Sequence, residues 1–367
     1  MNTSTWKDKI RLGVYSSHIV DELDEQQVID LVDAGIEVSI LGFDRFIPHE
    51  QRMWLLDLYE KHGAYMLLYD RNIMSPMEVL GKSGAMLFDK EKAAEADWYK
   101  DHPAFAGNSF VDEPGTLHFE KLGQTVEDYK ALFPDKIPYI NLLPMYANNS
   151  QLTGGAWMDQ IDYYESSEKN YRHYLAEYVR LVDTEYIGVD IYPCFTSDGV
   201  KTTYGDYCKA IELCADACRD SGRDFWVCVQ TCSWHPSVRI PDEKDFRWQM
   251  YTMLAFGAKA MFYYVYADRP KHEGTPYGTG HQKRELWYAS KRMAKEINKI
   301  SDAYMSYRWV GAMNLNCSDE TPYLSLYSPL ASFAPVKDIA STGPVLIGCM
   351  EGMPEKGADG NALVLVN

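Results

Sequence analysis

Positive charge is scarce in this 367-residue sequence: 36 lysines and arginines stand against 53 aspartates and glutamates, a formal net charge of −17. A protein that grips a phosphate backbone needs a basic face, so the balance argues against nucleic acid. It argues equally against an anionic membrane surface and fits a neutral small-molecule partner. Long apolar runs are missing too. No stretch approaches the roughly 18 residues of a membrane span; the most apolar window, Ala260–Ala267, is strand-sized. The opening MNTSTWKDKI has no apolar leader, so a cytoplasmic location is expected.

Several motifs are also absent. The eight cysteines include no C-x-x-C pair, which removes the usual zinc and redox spacings and leaves small buried hydrophobes as the reading. The loop after the first strand, Ser16-Ser17-His18, holds no glycine, so a dinucleotide-binding fold is disfavoured. No H-x-H stands on that strand, against a metal-dependent amidohydrolase. No cofactor or metal is implied.

What is present is a repeated unit: amphipathic helix, glycine, short apolar strand. Gln26–Ala34, Gly35 and Glu37–Gly42 make one copy, and Trp54–His62, Gly63 and Ala64–Tyr69 a second. Tyr207–Ser221, Gly222 and Phe225–Gln230 make a third, and Phe246–Phe256, Gly257 and Ala260–Tyr266 a fourth. Glycine suits such junctions because it ends a helix in the left-handed conformation without a Cβ clash. Elsewhere proline punctuates: Leu117–Leu132 is helical, Pro134 stops it, and Pro138–Leu143 is strand. Asn170–Val182 then leads to Tyr186–Ile191, and Leu12–Ser16 and Phe105–Val111 bring the strands to eight. Continuous apolar strands separated by helices predict a (β/α)8 TIM barrel over residues 1–310, with its last helix at Lys283–Tyr307. Residues 311–367 change texture. Strands at Tyr323–Tyr327, Val345–Met350 and Ala362–Val366, the last two joined by the turn Glu351–Asn361, read as a β-rich appendage. The pattern predicts the opening of an accessory β-sandwich, with the polypeptide continuing past Asn367.

Barrel active sites lie at the C-terminal ends of the strands. Those ends carry Tyr15, Asp44, Asp70, Asp112-Glu113, Asn141, Asp190, Tyr192, Gln230, Trp234, His235, Tyr264 and Tyr266. The set is rich in carboxylates, amides and aromatic rings and holds no lysine for a Schiff base. No loop there forms a strong phosphate cradle. Aromatic faces beside hydroxyl-binding polar groups suit a sugar. An excess of 27 tyrosines over 13 phenylalanines leans the same way, although Tyr171, Tyr174 and Tyr178 fall on an outer helix. Asp44 and Asp70 are equally suited to capping a following helix. The glycine-rich Gly274–Gly280 with His281 is a candidate lid.

Asp112-Glu113-Pro114 is the sharpest local signal, two carboxylates emerging where the fourth strand ends. Adjacent strand residues point to opposite sides unless a bulge or the strand's end turns both inward. The stretch also reads as a solvated pair capping the next helix. In its place after the fourth strand it resembles the Asn-Glu-Pro of clan A glycoside hydrolases, a group that includes bacterial β-galactosidases. Asp190-Ile191-Tyr192-Pro193 and Leu254-Ala255-Phe256-Gly257-Ala258-Lys259 are similar too. The resemblance implies Glu113 as acid/base. It departs at two points: Asp112 stands for the clan's Asn, and Gln230 for its strand-seven nucleophilic Glu, a role an amide cannot fill.

The Asp112-Glu113 pair also resembles that of substrate-assisted β-hexosaminidases. There Glu protonates the leaving oxygen and Asp orients a 2-acetamido group whose carbonyl attacks C1. That resemblance implies Tyr192, Tyr264 or Tyr266 on the acetamido oxygen and Trp234 against its methyl. Two other readings stay open. Asp190 could serve as general base in an inverting enzyme, which needs carboxyls roughly 6.5–9.5 Å apart. The barrel could also bind carbohydrate without cleaving it, having lost its nucleophile at Gln230.

Overall fold

Eight parallel strands stand side by side in one closed ring. The computed structural model describes residues 6–41, 48–79, 82–154, 166–334, 336 and 338–367; Asp44 lies outside the described residues. The ring strands are β1 Arg11–Tyr15, β2 Val38–Leu41, β3 Tyr65–Leu68, β4 Phe105–Asp112, β5 Ile137–Asn141, β6 Tyr186–Asp190, β7 Asp224–Gln230 and β8 Ala258–Tyr264. They pair in the order β5-β4-β3-β2-β1-β8-β7-β6, and Leu142 N donating to Gly188 O at 2.8 Å closes β5 onto β6. The outer helices are α1 Glu25–Asp33, α2 His49–His62, α3 Phe119–Leu132, α4 Ser167–Leu181, α5 Tyr207–Ser221, α6 Glu243–Ala255 and α7 Glu285–Tyr304. This is the (β/α)8 barrel that the strand spacing predicts.

The strands are buried on both faces yet still alternate. Val38, Ile40, Leu67, Tyr139, Trp226 and Phe262 fill the bore. Val14, Met66, Leu68, Val189, Val227 and Tyr263 meet the helices. Trp6 stacks on Trp226 at 5.1 Å and plugs the bottom of the bore, so the interior is packed and the strands' C-terminal ends at the top are where a barrel's site is sought. Gly63 and Gly222 end their helices with φ of 74° and 70°, the left-handed stops that the sequence pattern predicts.

Two hairpins were not legible in the helix–glycine–strand rhythm. Met74–Val79 pairs with Lys82–Phe88 between β3 and β4, where a 3-10 stretch at Lys90–Ala96 replaces the usual helix. Cys194–Ser197 pairs with Val200–Thr203 just after β6.

The last helix stops at Tyr304, and Tyr307–Leu315, read from sequence partly as its end, is strand β9. It pairs antiparallel with β10 Val345–Gly352, which pairs with β11 Asn361–Val366. Tyr323–Tyr327 is not a strand: Pro322, which has no N–H to give a ladder, opens a 3-10 turn at Pro322–Leu324. The small sheet rests on α6 so closely that a Cβ at Gly348 would lie 2.0 Å from the Ala255 carbonyl oxygen. Seven of the eight cysteines are buried and all are free thiols. Among the described residues no helix is long and apolar enough to cross a membrane.

Candidate active site

The site begins with how β4 ends. Its pairing with β5 slips between Ser109 and Val111, a bulge that re-phases the side chains beyond it. Asp112 then sits opposite Asn141, Glu113 N donates to Asn141 O at 2.8 Å, and Glu113 adopts a left-handed φ of 52°. A non-glycine residue pays for that conformation, and it is held only where surroundings enforce it. Here Tyr174 Oη donates to Pro114 O at 2.7 Å and fixes the outgoing chain. Bulge and left-handed turn together bring both carboxylates to one cavity.

That cavity, about 320 Å³, is lined by Tyr15, Asp112, Glu113, Asn141, Tyr146, Asp190, Tyr192, Phe195, Trp234, Val238 and Tyr264. Among the described residues no lysine, arginine or histidine reaches it. One wall is aromatic: Tyr192, Trp234 and Tyr264 meet with ring centroids 4.8–5.4 Å apart. The other wall is acidic. Asn141 Nδ2 donates to Asp112 Oδ1 at 3.1 Å, and Cys228 lies beneath with its Sγ 3.7 Å from Asn141 Oδ1.

Electrostatics follow from three carboxyls so enclosed. Asp112 and Glu113 are open to solvent at the cavity mouth, with their carboxyls set down among its lining, while Asp190 is buried. Burial first, and then the nearby Asp112 charge, push Glu113 up to about 7, with a hydrogen bond from Asp190 acting against both. Burial also raises Asp112, opposed by the Asn141 hydrogen bond. Asp190 is raised well above the ordinary carboxylate range, first by complete burial and then by the Glu113 and Asp112 charges. Its Oδ1 is buried with no hydrogen-bond partner. Like charges this close give up their protons in turn. A carboxylic acid still protonated near neutrality is what a general acid requires.

Of the residues read from sequence, Tyr15, Asp112, Glu113, Asn141, Asp190, Tyr192, Trp234 and Tyr264 gather at the cavity. Four others do not. Asp70 is fully buried against Arg52, Oδ1 to Nη1 3.0 Å, and accepts from Asn72 N. Gln230 is fully buried, with Oε1 accepting from Cys194 N at 2.9 Å and Nε2 donating to the carbonyls of Cys194, Cys232 and Arg239. Tyr266 lies in the helix layer, its hydroxyl accepting from Trp287 Nε1 at 3.1 Å. His235 is exposed, with Nδ1 against Ser237 Oγ at 2.8 Å. The proposed lid loop is tied to α1 and the turn before it, through Gly280 N to Glu22 and Lys283 to Asp30, both 2.7 Å.

Tyr146, Phe195 and Val238 were missed. Phe195 stands on the hairpin after β6 and bridges to Val238. The hairpin has a readable signal: Asp198-Gly199, with φ of 51° and 77°, is the dipeptide of a tight two-residue turn.

No protein-family model matches this chain, and no curated protein does. Solved structures match in fold. A β-galactosidase from a Rahnella species aligns with a TM-score of 0.58 and 12% identity, covering 83% of this chain and 58% of that one. A GH42 β-galactosidase from G. stearothermophilus gives 0.54 and 12%, covering 81% and 57%. A GH5_18 protein from Streptomyces cattleya in complex with GlcNAc gives 0.51 and 14%, covering 79% and 80%. The chain therefore spans less than two thirds of either β-galactosidase, and the likeness is one of fold.

Proposed function

We propose that the chain is a glycoside hydrolase acting on a β-linked 2-acetamido sugar, with residues 1–310 as its catalytic barrel and 311–367 as part of an accessory β-sandwich. The reading rests on one observation above others: Glu113 lines the cavity beside Asp112, in surroundings that push its carboxyl up to about 7. In the first step Glu113 gives its proton to the glycosidic oxygen as the C1–O bond breaks. The acetamido carbonyl oxygen bonds to C1, and Asp112 accepts a hydrogen bond from the amide N–H as positive charge develops. In the second step water attacks C1 and returns a proton to Glu113. The β configuration is retained. Tyr192 or Tyr264 bonds the acetamido oxygen, and Trp234 packs against the methyl; Tyr15, Asn141 and Asp190 complete the pocket.

Two features favour this route over its rivals. A two-carboxylate retaining enzyme needs a partner for Glu113, and Gln230 cannot supply one. An inverting enzyme needs an ionised carboxylate to activate water, whereas burial and the Glu113 and Asp112 charges oppose ionisation of Asp190. A non-catalytic carbohydrate binder has no need of an acid held near neutrality. The Streptomyces cattleya neighbour holds GlcNAc, itself a 2-acetamido sugar.

A screen of nitrophenyl β-glycosides, paired as 2-acetamido and 2-hydroxy forms, tests the reading. Turnover confined to the acetamido series is expected, and Asp112→Asn should lower its kcat by about 10²–10³-fold. Equal turnover of both series would remove substrate assistance, and binding without turnover would leave a lectin-like barrel. The pH profile has a required sign. Glu113 must be protonated to act, so kcat/KM should fall as pH rises through about 7. A rise across that range would mean that Glu113 is not the acid.

A further inference from the structure

Asp190 ends β6 and is buried at the floor of the cavity. Asp112 and Glu113 face it from β4, Asn141 from β5 and Cys228 from β7. Tyr146, Tyr192 and Tyr264 close round it, with Tyr171 and Tyr174 behind on α4. None of these groups is a cation. Among the described residues no salt bridge involves Asp112, Glu113 or Asp190. A buried carboxylate normally has a cation or a full set of donors, because nothing else repays its lost hydration. Asp190 has no cation and only part of that set, a hydrogen bond from Asn141 and one from backbone, while its buried Oδ1 has no hydrogen-bond partner. The neutral acid suits this setting. It carries no charge to compensate, and its O–H gives Glu113 a hydrogen bond.

We propose that Asp190 acts as a neutral carboxylic acid, a positioning residue whose O–H donates to Glu113 and steadies the Glu113 carboxylate formed once the proton has gone to the leaving group. The role rests on Glu113 being the acid. No proton leaves Asp190 during the cycle: Glu113 loses one to the glycosidic oxygen and regains one from water, while the Asp190 hydrogen bond persists. A general base at this position would have to be ionised, which its surroundings oppose. Burial, then the Glu113 and Asp112 charges, lift Asp190 well above the ordinary carboxylate range.

Asparagine mimics a neutral aspartic acid in shape and keeps a donor. With para-nitrophenyl N-acetyl-β-glucosaminide as probe, Asp190→Asn should stay within about tenfold of wild-type kcat, the worth of one altered hydrogen bond. Asp190→Ala should lose about 10²-fold in kcat with KM little changed. The alkaline limb set by Glu113 should stay in place in Asp190→Asn. An ionised Asp190 would predict otherwise: removing its charge would shift that limb down by about one to three pH units. Such a shift, or an Asn variant as inactive as the Ala variant, overturns the proposal. Infrared difference spectra of wild type against Asp190→Asn, taken above the Glu113 titration, read protonation without any substrate. A protonated-carboxyl carbonyl band is expected there, and a carboxylate band in its place refutes the idea. Full activity in Glu113→Gln would remove the acid assignment instead, leaving the infrared result to decide the state of Asp190.

Discussion

Glu113→Gln is expected to lower kcat on a 2-acetamido glycoside by about 10²–10⁴-fold, the usual yield of a placed general acid, or about 3–5 kcal/mol of barrier. The amide keeps the shape of the side chain and its place in the left-handed turn, so KM should hardly move. Binding and chemistry then separate: an interaction made only in the transition state is lost from kcat and kcat/KM together. A substrate with an activated nitrophenolate leaving group needs little protonation and should suffer least; an unactivated disaccharide should suffer most. Steady-state rates on both, with wild type and variant side by side, check the point. A variant that hydrolyses the disaccharide at the wild-type rate rules out Glu113 as the proton donor.

Gln230→Glu has the opposite character, a large loss of stability with no gain of chemistry. Placing a carboxylate at the end of β7 looks like restoring a nucleophile. The side chain at this position does not reach the cavity, however. Its Nε2 donates to three backbone carbonyls while Oε1 accepts from Cys194 N. Exchanging that amide NH2 for oxygen replaces two donors with at most one, facing three carbonyl acceptors. The cost should be at least about 3 kcal/mol, since each buried polar group left unmade costs about 1–3 kcal/mol. Denaturant or thermal unfolding of the variant should show that loss, and the nitrophenyl screen should show no new activity on 2-hydroxy sugars. A stable variant with new β-galactosidase activity would mean that the β7 loop opens in solution.

The barrel and much of its mouth were legible because their signals are local. Runs of five to seven residues marked all eight ring strands, five of them set off by a glycine or proline that ends the preceding helix. Strand parity also carries information about which ends point inward. Tyr139 fills the bore, so Asn141 two residues later faces the mouth; Tyr186 likewise brings Asp190 there. Parity would have excluded Asp70, since Leu67 faces inward and a residue three further on faces out. It would not have excluded Gln230. Cys228 is inward, and only the Thr231–Arg239 loop, folding back over the strand end, takes the amide away. Tyr266 lies past the end of β8, where alternation no longer holds. Phe195 and Tyr146 escaped because they reach the cavity on connections after β6 and β5, whose course depends on tertiary packing.

The pairing of Asp112 with Glu113 shows a different limit. Alternation predicts that one carboxylate turns away, and a bulge together with a positive φ overrides it. Neither device leaves a residue signature in FAGNSFVDEP, so the sequence could pose the question but not answer it.

Among the described residues the pocket lining carries three carboxyls and no basic side chain, and that bears on which molecules suit it. Sugars carrying phosphate, sulfate or a uronic carboxylate would bring negative charge against a lining that already holds three carboxyls. Unmodified rings meet no such barrier. The mouth therefore sorts candidate ligands by sign of charge before any hydroxyl is recognised.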